Sequence, residues 1–138
     1  MAILYTASVR SIGGRVGNIK SSDGVLDSLV SKPLEMGGTG DAPNPEMLFA
    51  AAYGACFGGS LKVVAQKQGI ELVEGWSVEA SVSLHQEGAS VFLSAKLKVL
   101  APGMEKSKIE SVARTAHIVC PYSKALKGNI ETEIMVEV

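Results

Sequence analysis

Two cysteines are the side chains in this sequence best suited to chemistry. Cys56 lies in the run AYGACFGGS, and Cys120 lies in the run HIVCPYSK. A thiolate is a strong nucleophile that can pair with a second thiol, although most free cysteines are small buried core residues. Two cysteines are too few for a disulfide-stapled secreted scaffold or for a four-thiolate zinc site. They are therefore candidates for redox chemistry or for simple core packing.

The position of Cys56 limits how its thiol could be activated. Asn44, Pro45 and Glu46 form a helix-start signal, which places Cys56 roughly 18 Å along the helix axis from the cap. The helix dipole acts mainly over the first turn, and apolar surroundings raise the pKa of a thiol. A reactive Cys56 therefore needs a cation from elsewhere in the fold, and without one the thiol is inert.

Arg15 is a candidate for that cation. It lies in the run GGRVG, whose glycines let the backbone approach another element closely, although such an arginine is more often a solvated surface charge. If Arg15 packs over the apolar helix it needs a carboxylate partner, and Glu46 is the only acidic residue on that stretch. Glu46 and Cys56 are too far apart to touch within one straight helix. Either Arg15 bridges the gap, or one of these groups comes from a partner chain.

The residues around Cys120 are also compatible with two other kinds of site, a zinc site and a cysteine–histidine hydrolase. His117 and Cys120 have the spacing of half a zinc site, but the other histidine, His85, lies on the polar face of a predicted strand. We therefore expect no metal. A cysteine–histidine hydrolase built from Cys56 and His117 stays open, although no third orienting residue is indicated.

Composition narrows the function classes further. The 138 residues carry 13 Lys and Arg against 14 Asp and Glu, which argues against nucleic acid or an anionic membrane as the main partner. The run MAILYTASVR at the start lacks the pattern of a signal peptide, so we expect a cytoplasmic protein. No linker divides the chain, which predicts a single domain over residues 1–138.

Hydrophobic periodicity predicts an α+β fold of strands, helix, strands, helix and strand. The predicted helices cover residues 44–68 and 104–119, and Pro121 places Cys120 at the end of the second one. Residues 37–40 form a glycine-rich loop. The predicted strands are residues 3–10, 15–20, 25–31, 76–85, 91–99 and 130–138.

The first predicted helix has no charged residue from Met47 to Leu61. These fifteen residues are too few for a membrane span, and a helix that is apolar on all sides is expected to be buried on all sides. In so short a chain, the extra cover is expected to come from a second copy of the protein.

Several segments resemble the organic hydroperoxide resistance (Ohr) branch of the OsmC/Ohr superfamily. The central ones are NPEMLFAAAYGACF around Cys56 and AHIVCPYSKA around Cys120. Together they span nearly the whole chain in the family's order. The matching segments are residues 4–7, 13–15, 21–24, 44–57, 116–125 and 128–130.

This resemblance implies a fold, a dimer and a reaction. The implied fold has mainly antiparallel sheets wrapped around two central helices in an intertwined homodimer, with active sites at the subunit interface. The implied reaction is thiol-dependent reduction of organic and fatty-acid hydroperoxides, with no cofactor and with a lipoylated protein as the dithiol reductant. Cys56 would be the peroxidatic cysteine and Cys120 the resolving one. Arg15 would stabilise the thiolate, and Glu46 would hold Arg15 in place.

Two alternatives use the same residues differently. A redox sensor would form the same disulfide in order to change the binding of a partner. A binding module for hydrophobic small molecules would keep both thiols as structural residues. For the peroxidase, we expect apolar pocket walls that include Phe49, Tyr53 and Phe57.

Overall fold

Two three-stranded sheets and three α-helices make up the fold, and the computed structural model describes residues 1–138. This confirms the predicted α+β class. The chain divides into two units, residues 1–48 and residues 49–138. The elements in chain order are β1 (Val9–Ile12), β2 (Gly17–Ser21), β3 (Asp27–Val30), a 3₁₀ helix (Leu34–Met36), α1 (Pro45–Lys67), β4 (Ser77–Glu87), β5 (Ser90–Leu100), α2 (Lys106–Val119), α3 (Pro121–Leu126) and β6 (Thr132–Glu137).

The N-terminal unit is an antiparallel meander in the order β1-β2-β3. The turn between β1 and β2 carries Arg15, and its glycines are required by the close backbone. A Cβ on Gly13 would lie 2.4 Å from the Val16 carbonyl oxygen, and one on Gly17 would lie 1.8 Å from the Ile12 carbonyl oxygen. Gly13 also has a φ of +82°, which an L side chain rarely adopts. The GGRVG run therefore forms a tight turn that carries Arg15.

The first predicted strand is wrong over most of its length. Residues 3–8 form no strand, because β1 begins at Val9 opposite Ser21, the last residue of β2. The alternating apolar residues of this segment have no neighbouring strand to pair with. The N-terminal unit also leaves many apolar side chains exposed, and Val30 is its one buried hydrophobic residue. The most exposed are Met1, Leu4, Val25, Ile3, Tyr5 and Leu34.

The C-terminal unit holds the core. β4 and β5 form the predicted hairpin, and β6 lies parallel to β5, a pairing that the pattern of the sequence did not predict. The buried faces of α1 and α2 contribute the other apolar side chains of the same cluster. Its largest fully buried members are Tyr53, Phe57, Leu61, Leu97, Ile109, Val99, Val112 and Cys120.

Helix α1 begins and ends where its signals predict. The Asn44 side-chain oxygen accepts the Met47 N–H at 2.8 Å, and Gly69 follows the helix with a φ of +68°. One face of α1 is uncovered in this single chain, since Met47 is 59% exposed and Val63 is 50% exposed, and its cover by a second copy stays a prediction. The helix is long and apolar enough to meet a simple test for a membrane span, as core helices of folded proteins also do.

Pro121 has a second role that the sequence analysis missed. It ends the geometry of α2 at Val119, and it also occupies the first position of α3, where its missing N–H costs nothing. Cys120 therefore lies between two helices, as the C-cap of α2 and the N-cap of α3. The predicted helix end at Cys120 is confirmed, and the helix that follows is new.

Replacing Leu97 by Ala tests the assignment of the core. Leu97 is fully buried in β5, so Leu97→Ala is expected to lower the free energy of unfolding by about 2–5 kcal/mol. Lys96→Ala, on the opposite face of the same strand, is expected to change it by less than about 1 kcal/mol. Urea unfolding measures both. Equal losses in the two variants would contradict this assignment.

Candidate active site

Arg15 and Glu46 form a two-pronged ion pair in the N-terminal unit. Arg15 Nη1 donates to Glu46 Oε2 at 3.0 Å, and Nη2 donates to Oε1 at 2.7 Å. The Arg15 side chain is 36% exposed and that of Glu46 is 14% exposed. The planar guanidinium fork matches a carboxylate, so this geometry fixes the direction of the arginine as well as its position.

Each member of the pair stabilises the charge on the other. Hydrogen bonding to Arg15 lowers the pKa of Glu46, and hydrogen bonding to Glu46 raises the pKa of Arg15. Glu46 also lies in the first turn of α1, where a carboxylate is favoured by the helix dipole. Two of the five guanidinium N–H donors face Glu46, and the remaining ones are free for another anion.

The two cysteines meet in the C-terminal unit. Their sulfur atoms lie 3.8 Å apart, and both thiols are free. Cys56 comes from the middle of α1, while Cys120 comes from the junction between α2 and α3. A disulfide bond is about 2.0 Å long, so a small movement would join the sulfurs. The structure thus brings together two thiols that are separated by 64 positions in the sequence.

The environments of the two thiols differ. Burial raises the pKa of Cys56, a hydrogen bond from the Tyr122 backbone lowers it by less, and the adjacent Cys120 sulfur raises it further. Burial also disfavours the Cys120 thiolate, but hydrogen bonding from the backbone N–H and the hydroxyl of Ser123 outweighs this effect and lowers the pKa of Cys120. When two thiols lie this close together, ionisation of one disfavours ionisation of the other. The pKa of Cys56 is raised and that of Cys120 is lowered.

A cleft of about 510 Å³ opens beside Cys56. One face of α1 forms its floor, because Cys56, Ser60, Val63 and Lys67 recur at helical spacing. The cleft is lined by Cys56, Gly59, Ser60, Val63, Val64, Lys67, Gln68, Thr115, Val119 and Pro121. A ligand in this cleft would have mostly apolar walls and the Cys56 sulfur within its reach.

The aromatic residues expected on the walls of the pocket lie elsewhere. Tyr53 and Phe57 are fully buried in the core, and Phe49 packs edge-on against Tyr53. Tyr53 and Phe57 face the sheet, whereas Phe49, two turns before Cys56, lies on the same side of α1 as that thiol but outside the cleft. Valines on α1 and α2 line the cleft instead, so the prediction for the aromatic walls is wrong for Tyr53 and Phe57.

Three polar side chains near Cys120 were missed as a group. The Ser123 oxygen lies 2.9 Å from the Tyr53 hydroxyl and 2.9 Å from His117 Nδ1. Ser123 is buried, whereas His117 is partly exposed. A signal was present in the sequence, because His117, Cys120 and Ser123 recur every three residues. The spacing is informative only because the short helix α3 follows Cys120, and that helix was not predicted.

His85 lies apart from the thiols on the β4–β5 hairpin. Its ring stacks on Phe92, and its Nε2 lies 2.7 Å from the Ser94 hydroxyl. No group of three His, Cys, Asp or Glu side chains is arranged to hold a metal ion.

Comparison with known proteins settles the family. Residues 38–135 match the family model described as OsmC-like protein. The chain is 42% identical over 133 residues to the organic hydroperoxide resistance protein of Xanthomonas axonopodis pv. citri, covering 96% of this chain and 94% of that protein. The chain belongs to the Ohr branch of the OsmC/Ohr superfamily.

Solved Ohr structures share the whole fold. A crystal structure of an organic hydroperoxide resistance protein from Legionella pneumophila has a TM-score of 0.92 at 38% identity, covering 99% of this chain and all of that one. OhrB of Bacillus subtilis has a TM-score of 0.87 at 39% identity, covering 98% of this chain and all of that one. These matches confirm the Ohr-like fold class predicted from the sequence motifs.

Titration of Glu46 tests the ion pair. Because Arg15 lowers the pKa of Glu46, the Arg15→Gln variant is expected to titrate Glu46 at a higher pH than the parent protein. The stability that this pair adds is present above the ordinary pKa of glutamate and is lost as the pH falls through the lowered value. Carboxyl NMR shifts measure the titration. An unchanged Glu46 midpoint in Arg15→Gln would contradict the pairing.

Proposed function

We propose that this Ohr family member is a thiol-dependent peroxidase that reduces organic hydroperoxides to alcohols. The observation that carries the proposal is a pair of free thiols 3.8 Å apart, one of them facing an apolar cleft. Relatives named for organic hydroperoxide resistance support a peroxide-related role. In this proposal Cys56 is the peroxidatic cysteine and Cys120 is the resolving cysteine.

The reaction proceeds in three balanced steps. The Cys56 thiolate attacks the terminal peroxide oxygen, the O–O bond breaks, and the alkoxide takes a proton and leaves as an alcohol. Cys56 is then a sulfenic acid, from which the Cys120 thiolate displaces hydroxide, forming the disulfide and water. An external dithiol reduces that disulfide by exchange and is itself oxidised. The steps need no metal, flavin or haem.

Ionisation of Cys56 is the step that needs help. Burial and the neighbouring sulfur both raise the pKa of Cys56, so its own surroundings favour the unreactive thiol. Arg15 is proposed to supply the missing positive charge, with Glu46 holding the guanidinium in one orientation. This assignment allows Arg15 to act on the thiol of its own chain or on that of a second copy.

The cleft beside Cys56 accounts for a preference for organic hydroperoxides. Burying apolar surface contributes roughly 25 cal/mol per Å², so an alkyl tail against Val63, Val64 and Val119 gains affinity that hydrogen peroxide cannot gain. A volume of about 510 Å³ suits a tail of many carbons. Lys67 and Gln68 provide a polar rim at the far end of the α1 face.

The proposal also includes a homodimer, a cytoplasmic location and a lipoylated protein as the dithiol donor. The dimer is supported by exposed apolar side chains in the N-terminal unit and on α1, since large uncovered apolar surfaces mark interaction sites. The reductant and the location follow from the resemblance to the Ohr family.

Replacing Cys56 tests the peroxidase directly. With an organic hydroperoxide and a dithiol, the parent protein is expected to turn over, while Cys56→Ser is expected to consume peroxide no faster than buffer. Intact-mass measurement after one equivalent of hydroperoxide is expected to show loss of two hydrogens from the parent. Oxidation without turnover would favour the redox sensor, and binding without oxidation would favour the binding module.

Replacing Cys120 separates the two cysteines. Cys120→Ser is expected to react once and then to accumulate sulfinic and sulfonic forms of Cys56, because no neighbouring thiol intercepts the sulfenic acid. Mass spectrometry after repeated additions of hydroperoxide measures this accumulation. Durability equal to that of the parent protein would remove Cys120 from the resolving role.

A further inference from the structure

Tyr53, Ser123 and His117 form a hydrogen-bonded chain, the hydroxyl bridge, in the same unit as the two thiols. The oxygens of Tyr53 and Ser123 lie 2.9 Å apart, and the Ser123 oxygen lies 2.9 Å from His117 Nδ1. Tyr53 is on α1, Ser123 is on α3 and His117 is in the last turn of α2. The hydroxyl bridge therefore joins all three helices.

Each residue of the hydroxyl bridge lies three positions from a cysteine. Tyr53 precedes Cys56 by three positions on α1, and residues at this spacing share one side of a helix. His117 precedes Cys120 by three positions, and Ser123 follows it by three. Because Cys120 caps both α2 and α3, these two residues lie one helical turn before and one turn after it. The hydroxyl bridge therefore anchors the backbone about one turn from each sulfur.

Donor and acceptor counts favour one direction of hydrogen bonding along the bridge. Tyr53 is fully buried and Ser123 is 4% exposed, so both hydroxyls depend on protein partners. A hydroxyl donates one hydrogen bond. If Tyr53 donates to Ser123 and Ser123 donates to His117 Nδ1, each hydroxyl hydrogen has an acceptor, and the two bonds strengthen each other. This direction requires a neutral His117, and burial lowers the pKa of that ring.

Directional contacts are needed to fix how α3 lies against α1. The apolar cluster around these helices is held by burial, which has no preferred direction. The bond from Tyr53 to Ser123 is the one hydrogen bond between a side chain of α1 and a side chain of α3, and it tolerates only a narrow range of distance and angle. A disulfide also forms only within a narrow geometry. A shift of about 1 Å between the helices would therefore change how often the sulfurs meet.

We propose that the hydroxyl bridge holds Cys120 against Cys56 and so raises the effective concentration of one thiol toward the other. This inference deepens the proposed function and rests on it, because it concerns the step in which the two cysteines form a disulfide. The sulfurs lie 3.8 Å apart with both thiols free. No residue of the bridge lines the cleft beside Cys56, so all three are positioning residues that act through the separation of the sulfurs.

The chain offers matched variants for the hydroxyl bridge. Tyr53→Phe removes one hydroxyl and keeps the buried ring. His117→Leu removes the acceptor, whereas His117→Asn keeps an acceptor near the position of Nδ1 and tests for rescue. As controls, Tyr5→Phe removes the hydroxyl of an exposed tyrosine, and His85→Leu breaks a second histidine–serine hydrogen bond, 2.7 Å long, on the β4–β5 hairpin.

Equilibrium in glutathione buffers measures the effective concentration of the two thiols. The protein dithiol reacts with glutathione disulfide to give the protein disulfide and two molecules of glutathione, which receive the two electrons and two protons that the protein loses. Alkylation of the quenched mixture and intact-mass measurement count the two forms. Tyr53→Phe and His117→Leu are each expected to lower the equilibrium constant for the disulfide about tenfold, or about 30 mV in potential. His117→Asn is expected to restore the parental constant, and Tyr5→Phe and His85→Leu are expected to keep it.

Urea unfolding of both redox forms separates positioning from general stability. Tyr53→Phe is expected to lose more free energy of unfolding in the disulfide form than in the dithiol form, because only the dithiol form gains freedom when the hydrogen bond is lost. Equal losses in the two forms would overturn the positioning role. So would parental glutathione equilibria in both Tyr53→Phe and His117→Leu, or a parent that forms no disulfide in glutathione. Tenfold shifts in a protein that reduces no hydroperoxide would keep the positioning role and contradict the proposed function instead.

Discussion

The cost of placing negative charge on a buried sulfur is the constraint on which this structure depends. Cys56 lies far beyond the first turn of α1, where the helix dipole gives no help, and Cys120 is fully buried. An apolar environment favours the neutral thiol at both positions. The groups that lower the pKa of a thiol here, the backbone of Tyr122 and the residue Ser123, offset part of that cost.

The fold offers two different means of stabilising a thiolate. For Cys120, the groups that lower its pKa lie in the first turn of α3, which Pro121 begins, and are therefore local in sequence. For Cys56, the proposed source is a guanidinium held on a glycine turn by a carboxylate at the start of α1. One thiol is stabilised by backbone and hydroxyl dipoles, and the other is proposed to depend on a full positive charge.

Sequence reasoning succeeded where the signal was local. The Asn44 cap, the terminating Gly69 and the β4–β5 hairpin are each specified by a few adjacent residues. It failed where tertiary context decides, as with residues 3–8, which lack a partner strand, and with Tyr53 and Phe57, whose direction depends on how α1 rotates onto the sheet. The approach of Cys56 to Cys120 came from the family resemblance, since no spacing along the chain implies it.

Activation of Cys56 by Arg15 is tested by titrating the Cys56 thiol, followed by thiolate absorbance, in a Cys120→Ser background. With the second thiol removed and Arg15 present, we expect a Cys56 pKa below the ordinary value of about 8.5. We also expect a pKa above that value in Arg15→Gln, where burial outweighs the hydrogen bond from the Tyr122 backbone. Equal Cys56 pKa values with and without Arg15 would show that Arg15 does not stabilise the Cys56 thiolate.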